Sequence, residues 1–184
     1  MIDIRGADKL NQAYLLLGSN IEPARNLKYA VQHLARFGDV RALSAVWESH
    51  PAGFTSQPRF LNAAVLLETR LSAHELRNTV IATIEAALGR VRTANKNSPR
   101  TIDIDIMLFN RDVIEVGHRH IPDPEVRERP FAAIPLAEIA PGYVHPETGE
   151  TLREIAHRFD PAAVGMRRRD DVALPSASDL ATVS

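Results

Sequence analysis

Two aspartates one residue apart carry the strongest chemical signal in this chain. Ile102-Asp103-Ile104-Asp105-Ile106 alternates acidic and branched apolar residues, and along a β-strand successive side chains face opposite ways. Both carboxylates therefore point to one side, and the three isoleucines point to the other, into a core. Their Cα atoms lie roughly 6.5 Å apart in such a strand, a hard-oxygen clamp suited to Mg²⁺. A clamp of this kind can hold two ions on one polyphosphate. A solvent-facing acidic strand would show the same alternation. Asp is a poor strand former, however, and two in one short strand need a reason. Arg90, Arg92, Lys96 and Arg100 lie just upstream in a polar loop. A polyphosphate uses both kinds of charge, metal ions on its oxygens and Arg or Lys on charge that develops during transfer. Glu85 sits one turn from a helix C-terminus, where the macrodipole disfavours an anion, and so points weakly to use.

A second loop carries groups that would suit a flat polar heterocycle. Ser49-His50-Pro51-Ala52-Gly53-Phe54 is followed by Gln57-Pro58-Arg59-Phe60-Leu61-Asn62. Phe60 can stack on a ring, and Asn62 offers both a donor and an acceptor. By itself a Pro/Gly loop with a Phe is commonly just a loop.

The elements that must position these residues are readable from period and punctuation. Ala13 to Leu17 is a short apolar run that ends in Gly18-Ser19-Asn20, a buried strand entering a turn. Pro23 suits a helix start, Leu27, Ala30, Val31 and Leu34 keep helical spacing, and Gly38 closes the segment. Val40 to Glu48 and Leu61 to Glu68 read as the second and third strands. Ser72 and Glu75 form a capping box, flanked by the staple pair Leu71 and Leu76. The stripe Leu76, Val80, Ile84, Leu88 then runs to Gly89. Thr101 to Phe109 is the last core strand. The order strand, helix, strand, strand, helix, strand predicts an α+β, ferredoxin-like split βαβ sandwich, an antiparallel sheet with both helices on one face. Val113-Ile114 and Arg119-His120-Ile121 suit an added hairpin, with His118 and His120 on its surface. Phe131 to Ala140 and Thr151 to Phe159 suit short helices on this frame. One catalytic domain is expected over 13–160, with 1–12 and 161–184 as flexible tails.

Composition narrows the partners. The chain has 184 residues, 45% of them hydrophobic, enough for one domain with a real core. Lys and Arg total 22 against 23 Asp and Glu, a net charge of -1, without the basic excess of a nucleic-acid binder. There are no cysteines, which excludes a disulfide framework and a thiolate metal site and fits a reducing, cytoplasmic setting. No run of about 18 apolar residues suggests a membrane span. The reading is of an enzyme acting on small molecules, as a monomer or weak dimer.

Several motifs in fixed order resemble one known family, the 6-hydroxymethyl-7,8-dihydropterin pyrophosphokinases of folate biosynthesis. They are Leu17-Gly18-Ser19-Asn20, Gln57-Pro58-Arg59-Phe60-Leu61-Asn62-Ala63, Gly89-Arg90-Val91-Arg92, Pro99-Arg100-Thr101-Ile102-Asp103-Ile104-Asp105-Ile106, Ile121-Pro122, Arg129, and Pro135-Leu136-Ala137-Glu138-Ile139-Ala140-Pro141. The match runs from about Ala13 to Phe159, and the family's fold is also ferredoxin-like. The resemblance implies that a hydroxymethyl-dihydropterin hydroxyl attacks the β-phosphorus of ATP, giving the pterin diphosphate and AMP. It implies two Mg²⁺ on Asp103 and Asp105, with ATP as co-substrate. Arg90, Arg92 and Lys96 would belong to a mobile catalytic loop, and Arg100 would neutralise transferring charge. Glu85, Ile106, Arg129 and the position of Asp123 would contact ATP. Asn62 would hydrogen-bond the pterin between Phe60 and Phe131, with the main chain at Ser49 and Ala52 completing its pocket.

The chain departs from the family pattern in places. Asp123-Pro124 stands where many members have a His-Pro or His-Tyr pair, Lys96 stands for an Arg, and Asn97 for a loop Trp. His50, in the place of a Pro, is read as facing solvent. The competing readings are an inactive pterin- or nucleotide-binding relative, an RNA-binding module, a phosphohydrolase, and a phosphotransferase for another pterin.

Overall fold

The structure is a computed structural model and describes residues 9–51, 56–91, 94 and 98–180. Its core is a six-stranded antiparallel sheet. The strands are β1 (Asn11–Ser19), β2 (Asp39–Leu43), β3 (Trp47–Ser49), β4 (Phe60–Thr69), β5 (Asp103–Phe109) and β8 (Arg167–Arg168). Their order is β5-β1-β4-β3-β8, and β2 also pairs with β4. β1 lies between β4 and β5, with Leu17 opposite Ala63 on one side and Ile104 on the other.

One face carries the helices α1 (Pro23–Leu34), α2 (Ala73–Glu75) and α3 (Ala82–Ala87), with a π-helical stretch, Leu76–Ile81, joining the last two. Leu27, Val31 and Leu34 of α1 and Leu76, Val80 and Ile84 of the second helical segment share a core with Leu15, Leu17, Val65 and Leu67. The expected two helices on one face are there. The capping box is there too: the Ser72 hydroxyl accepts from the Glu75 N–H at 3.3 Å, and Glu75 accepts from the Ser72 N–H at 2.8 Å.

A second layer covers part of the other face. It holds α4 (Glu125–Glu128), α5 (Pro130–Ile139) and α6 (Leu152–Ala156), which bury Val126, Ala133, Leu136 and Leu152 against Tyr14, Leu16 and Ala64. Between β5 and this layer stands the expected hairpin, β6 (Ile114–Val116) with β7 (Arg119–Ile121). His120 is on its surface and meets Glu115 at 2.6 Å and Glu147 at 2.8 Å.

Two expectations are corrected. The strand read as Val40 to Glu48 is broken at Ser44–Val46, where side chains take some of the main-chain bonds. The Ser44 hydroxyl accepts from the Ala64 N–H at 2.8 Å, and Glu138 of α5 accepts from the Ala45 N–H at 2.8 Å and the Trp47 indole at 3.1 Å. The stretch after Asp160, read as a loose tail, packs against the sheet. β8 pairs antiparallel with β3, Met166 is buried, and a short helix, α7 (Ala177–Leu180), lies against β2 and buries Leu180 in the core that α1 shares. Glu48, largely buried, draws this segment in, meeting Arg169 at 2.6 Å, Arg59 at 3.3 Å and Arg167 at 3.6 Å.

Candidate active site

The second layer leaves one end of its sheet face open, and a pocket of about 330 Å³ lies there. Its floor follows from strand alternation. Asp103 pairs with Gly18, and Gly18 with Asn62, while Asp105 pairs with Leu16 in the next row of the same face. Asp103, Asp105, Gly18, Leu16 and Asn62 all line the cavity. Ile102, Ile104 and Ile106 lie in the opposite core, as alternation requires. Ile106, read as an ATP contact, therefore points its side chain away from the pocket.

One end of the pocket suits a flat ring. Phe60 and Phe131 line it, with Ser49, His50 and Pro51. Asn62, 5% exposed, donates through Nδ2 to the Ser49 hydroxyl at 2.8 Å and the Trp47 carbonyl at 3.2 Å. Both amide hydrogens are thereby used inside the protein, which fixes Oδ1 as the acceptor left for a ligand. A Cβ on Gly18 would stand 3.3 Å from that oxygen, so only glycine keeps the floor flat beside it. His50 is exposed, as expected, yet borders the cavity.

The other end is charged. Asp103 is held by Arg90 at one oxygen and Arg100 at the other. Asp105 meets Arg119 at 2.9 Å. Burial, reinforced by the charge of Asp103, raises the Asp105 carboxyl to about 7. Arg100, Arg119, Arg129 and Glu125 complete the wall. The turn after β1 anchors both ends. The Asn20 side chain accepts from the Arg100 N–H at 2.7 Å and donates to the Pro58 carbonyl at 3.2 Å, and the Ser19 hydroxyl donates to the Thr101 carbonyl at 2.5 Å.

Three residues assigned from sequence to the catalytic loop (Arg90) or to ATP (Glu85 and Asp123) have partners within the protein. Arg90 is nearly buried and bonded to Glu85 at 2.8 Å, to the Ile102 carbonyl at 3.1 Å and to Asp103. It does not line the cavity. Glu85, also buried, accepts from Arg90 and from the edge N–H of Ile104 at 3.2 Å. That is the physical reason for an acid near this helix end. Asp123 is buried, accepting from Arg119 at 3.3 Å and from the Glu125 N–H at 2.9 Å. Arg92, Lys96, Asn97 and Ala52 lie outside the described residues. Sequence reading missed Arg119 and Glu125 as pocket residues. The one available signal for Arg119 was its place in a hairpin just before Ile121-Pro122.

The two carboxylates fit Mg²⁺. Among the described residues no cluster of three or more metal-ligating side chains occurs. Mg²⁺ is commonly held by one or two carboxylates, the remaining positions going to phosphate oxygens and water, and an open pocket with a carboxylate pair in its floor supplies that donor set.

A family model described as 7,8-dihydro-6-hydroxymethylpterin-pyrophosphokinase matches residues 14–141. A Methylorubrum extorquens protein named 2-amino-4-hydroxy-6-hydroxymethyldihydropteridine pyrophosphokinase is 44% identical over 158 residues, spanning 84% of this chain and 98% of the relative. A Bacillus subtilis protein of the same name is 41% identical over 132 residues, spanning 70% of this chain and 78% of the relative. Among solved structures, a Plasmodium falciparum HPPK-DHPS chain superposes with a TM-score of 0.66 at 16% identity, covering 82% of this chain and 45% of that one. At that identity the likeness is one of fold, and it agrees with the ferredoxin-like order read from the sequence.

Proposed function

The chain belongs to the 7,8-dihydro-6-hydroxymethylpterin-pyrophosphokinase family, and on that premise we propose that the pocket transfers a pyrophosphoryl group from ATP to 6-hydroxymethyl-7,8-dihydropterin. The pterin hydroxyl oxygen bonds to the β-phosphorus, the bridging bond to the α-phosphate breaks, and AMP leaves. The hydroxyl proton passes to solvent or a phosphate oxygen. This reaction serves folate biosynthesis.

The observation that carries the reading is the shared floor: one face of three strands presents an acceptor amide and two carboxylates to a single pocket that Phe60 and Phe131 also line. Asn62 Oδ1 accepts from the pterin's ring N–H or amino group, with Phe60 and Phe131 against its faces. That sets the hydroxymethyl arm toward the acids. Asp103 and Asp105 hold the Mg²⁺ ions, two where the family pattern is followed, and bound Mg²⁺ would neutralise phosphate charge and align the chain. Arg100 and Arg129 face the phosphates, Arg100 against the charge that grows on the transferring group. Arg90 is a positioning residue in this reading, fixing Asp103 from behind. Arg92 and Lys96 are proposed as loop cations that act in the transition state. Because phosphoryl transfer asks little covalent chemistry of a protein, holding the two substrates in line and excluding water carries the rate. Among the described residues no helix is long and apolar enough to cross a membrane, and both substrates are small polar molecules.

The test is direct. Purified protein with Mg²⁺ and ATP forms AMP when hydroxymethyl-dihydropterin is added and little without it. AMP or phosphate release at the same rate without pterin would make the protein a hydrolase and end this reading.

A further inference from the structure

Arg119 stands apart from the other arginines around the carboxylate pair. Arg90 has three acceptors and is 10% exposed, so it is locked in place. Arg119 is 38% exposed and bridges two acids, Asp105 at 2.9 Å through Nη2 and Asp123 at 3.3 Å through Nη1. Asp123 is itself fixed. It is 6% exposed in its side chain, its second oxygen takes the Glu125 N–H, and its own N–H donates to the Met107 carbonyl at 2.8 Å. The guanidinium thus has a rigid hinge on one side and, on the other, an oxygen that a divalent cation would also need.

Building on the proposed metal and nucleotide site, we propose that Arg119 is a phosphate-binding arginine that rests on Asp105 and, pivoting on Asp123, yields that carboxylate to a divalent cation as it swings to the nucleotide's phosphates. Two charges decide the exchange. A cation on Asp105 repels the guanidinium, and the phosphates that arrive with the cation offer it a better acceptor, since Arg pairs bidentately with phosphate oxygens. Asp123 keeps the arm within the pocket during the exchange and is a positioning residue.

Binding without turnover tests this. Mn²⁺ binding to the free protein is followed by electron paramagnetic resonance, and binding of magnesium α,β-methylene-ATP by calorimetry. Arg119→Ala is expected to bind Mn²⁺ about threefold or more tightly, the scale of a half-exposed ion pair. It should bind the nucleotide about tenfold or more weakly, the scale of one charge-assisted phosphate contact. Arg119→Lys should recover part of the nucleotide affinity. Asp123→Asn should weaken the nucleotide in the wild-type background and have no effect once Arg119 is alanine, a coupling that general destabilisation would not produce. Unchanged or weaker Mn²⁺ binding in Arg119→Ala overturns the exchange, and unchanged nucleotide affinity overturns the phosphate contact. Wild-type AMP formation is measured in parallel. If it proceeds normally while either result appears, the arginine inference alone falls. If the wild type forms no AMP, the reading of the site falls instead.

Discussion

Replacing Arg90 by methionine separates a structural role from a catalytic one. The side chains of Arg90, Glu85 and Asp103 are 10%, 6% and 13% exposed, so the variant leaves two shielded carboxylates near each other. Asp103 keeps Arg100, and Glu85 keeps the Ile104 N–H at 3.2 Å. Breaking a buried pair by removing one partner costs about 3–5 kcal/mol, because the surviving charge is left desolvated. For a chain of this size each kcal/mol moves the midpoint by roughly 2–4 °C. The expected fall in Tm is therefore about 6–20 °C, read by circular dichroism at neutral pH.

The double variant Glu85→Gln/Arg90→Met supplies the control. Glutamine removes the stranded charge and keeps an oxygen for the Ile104 N–H, so at least half of the lost midpoint should return. A loop cation that acts only in the transition state predicts the reverse pattern, a large loss of kcat with an unchanged Tm. Arg90→Met within 1 °C of wild type, or a double variant no better than the single, would refute the structural assignment.

Asp105→Asn should lower kcat for AMP formation by about 10³-fold or more, since a metal's charge stabilisation is worth several kcal/mol; a variant within tenfold of wild type would remove the metal assignment. Gly18→Ala places a methyl 3.3 Å from Asn62 Oδ1 and 3.9 Å from Phe60. Steady-state kinetics should show the pterin KM raised about tenfold by the misplaced ring, with the ATP KM within about twofold. His145 is buried, its pKa is lowered chiefly by burial, and its Nδ1 accepts from the Glu147 N–H at 3.3 Å. The fold therefore prefers the neutral ring. That preference stabilises fully above the unfolded value near 6.5 and is lost as pH falls from there toward the folded value. Thermal melts should show wild type losing ground to His145→Gln below pH 6.5, and a gap that does not change with pH would contradict this.

The core of the fold was legible because period and punctuation agree in it. Leu76, Val80 and Ile84 repeat at helical spacing behind a capping box, and Asp103 and Asp105 alternate with isoleucines that had to face inward. That Asp103 and Asp105 share a face was legible for the same reason, since alternation fixes the face, while the register that sets Asp103, Gly18 and Asn62 in one row came only with the strand pairing. What escaped was which charges pair with which. Nothing local told that Arg90 would turn inward to Glu85, or that Arg119 would reach Asp105 from a separate hairpin. Motif resemblance named Glu85 and Asp123 as nucleotide contacts, whereas here one caps a free strand-edge N–H and the other anchors an arginine. An ion pair leaves no periodic trace, so a sequence read element by element cannot assign it.

The segment after Asp160 makes the same point in its sharpest form. Arg167-Arg168-Arg169 followed by Asp170-Asp171 has the composition of a solvated tail, and by composition no core would recruit it. The structure recruits it through one buried acid. Glu48 sits on a three-residue edge strand, and an edge strand exposes unpaired main-chain groups. β8 covers that edge with only two residues, Arg168 opposite Trp47 and Arg167 opposite Glu48. Arg169, just beyond, adds its bond to Glu48 and donates its N–H to the Val46 carbonyl at 2.8 Å. Ser49 follows Glu48 directly and holds the Asn62 amide, so the terminal strand braces the strand that orients the ring acceptor. If that brace matters, Glu48→Gln should loosen the segment and raise the pterin KM by about threefold or more, the scale of losing a charge-assisted contact, with the ATP KM unmoved. Equal effects on both substrates, or none on either, would leave the segment as cover for the sheet edge and no more.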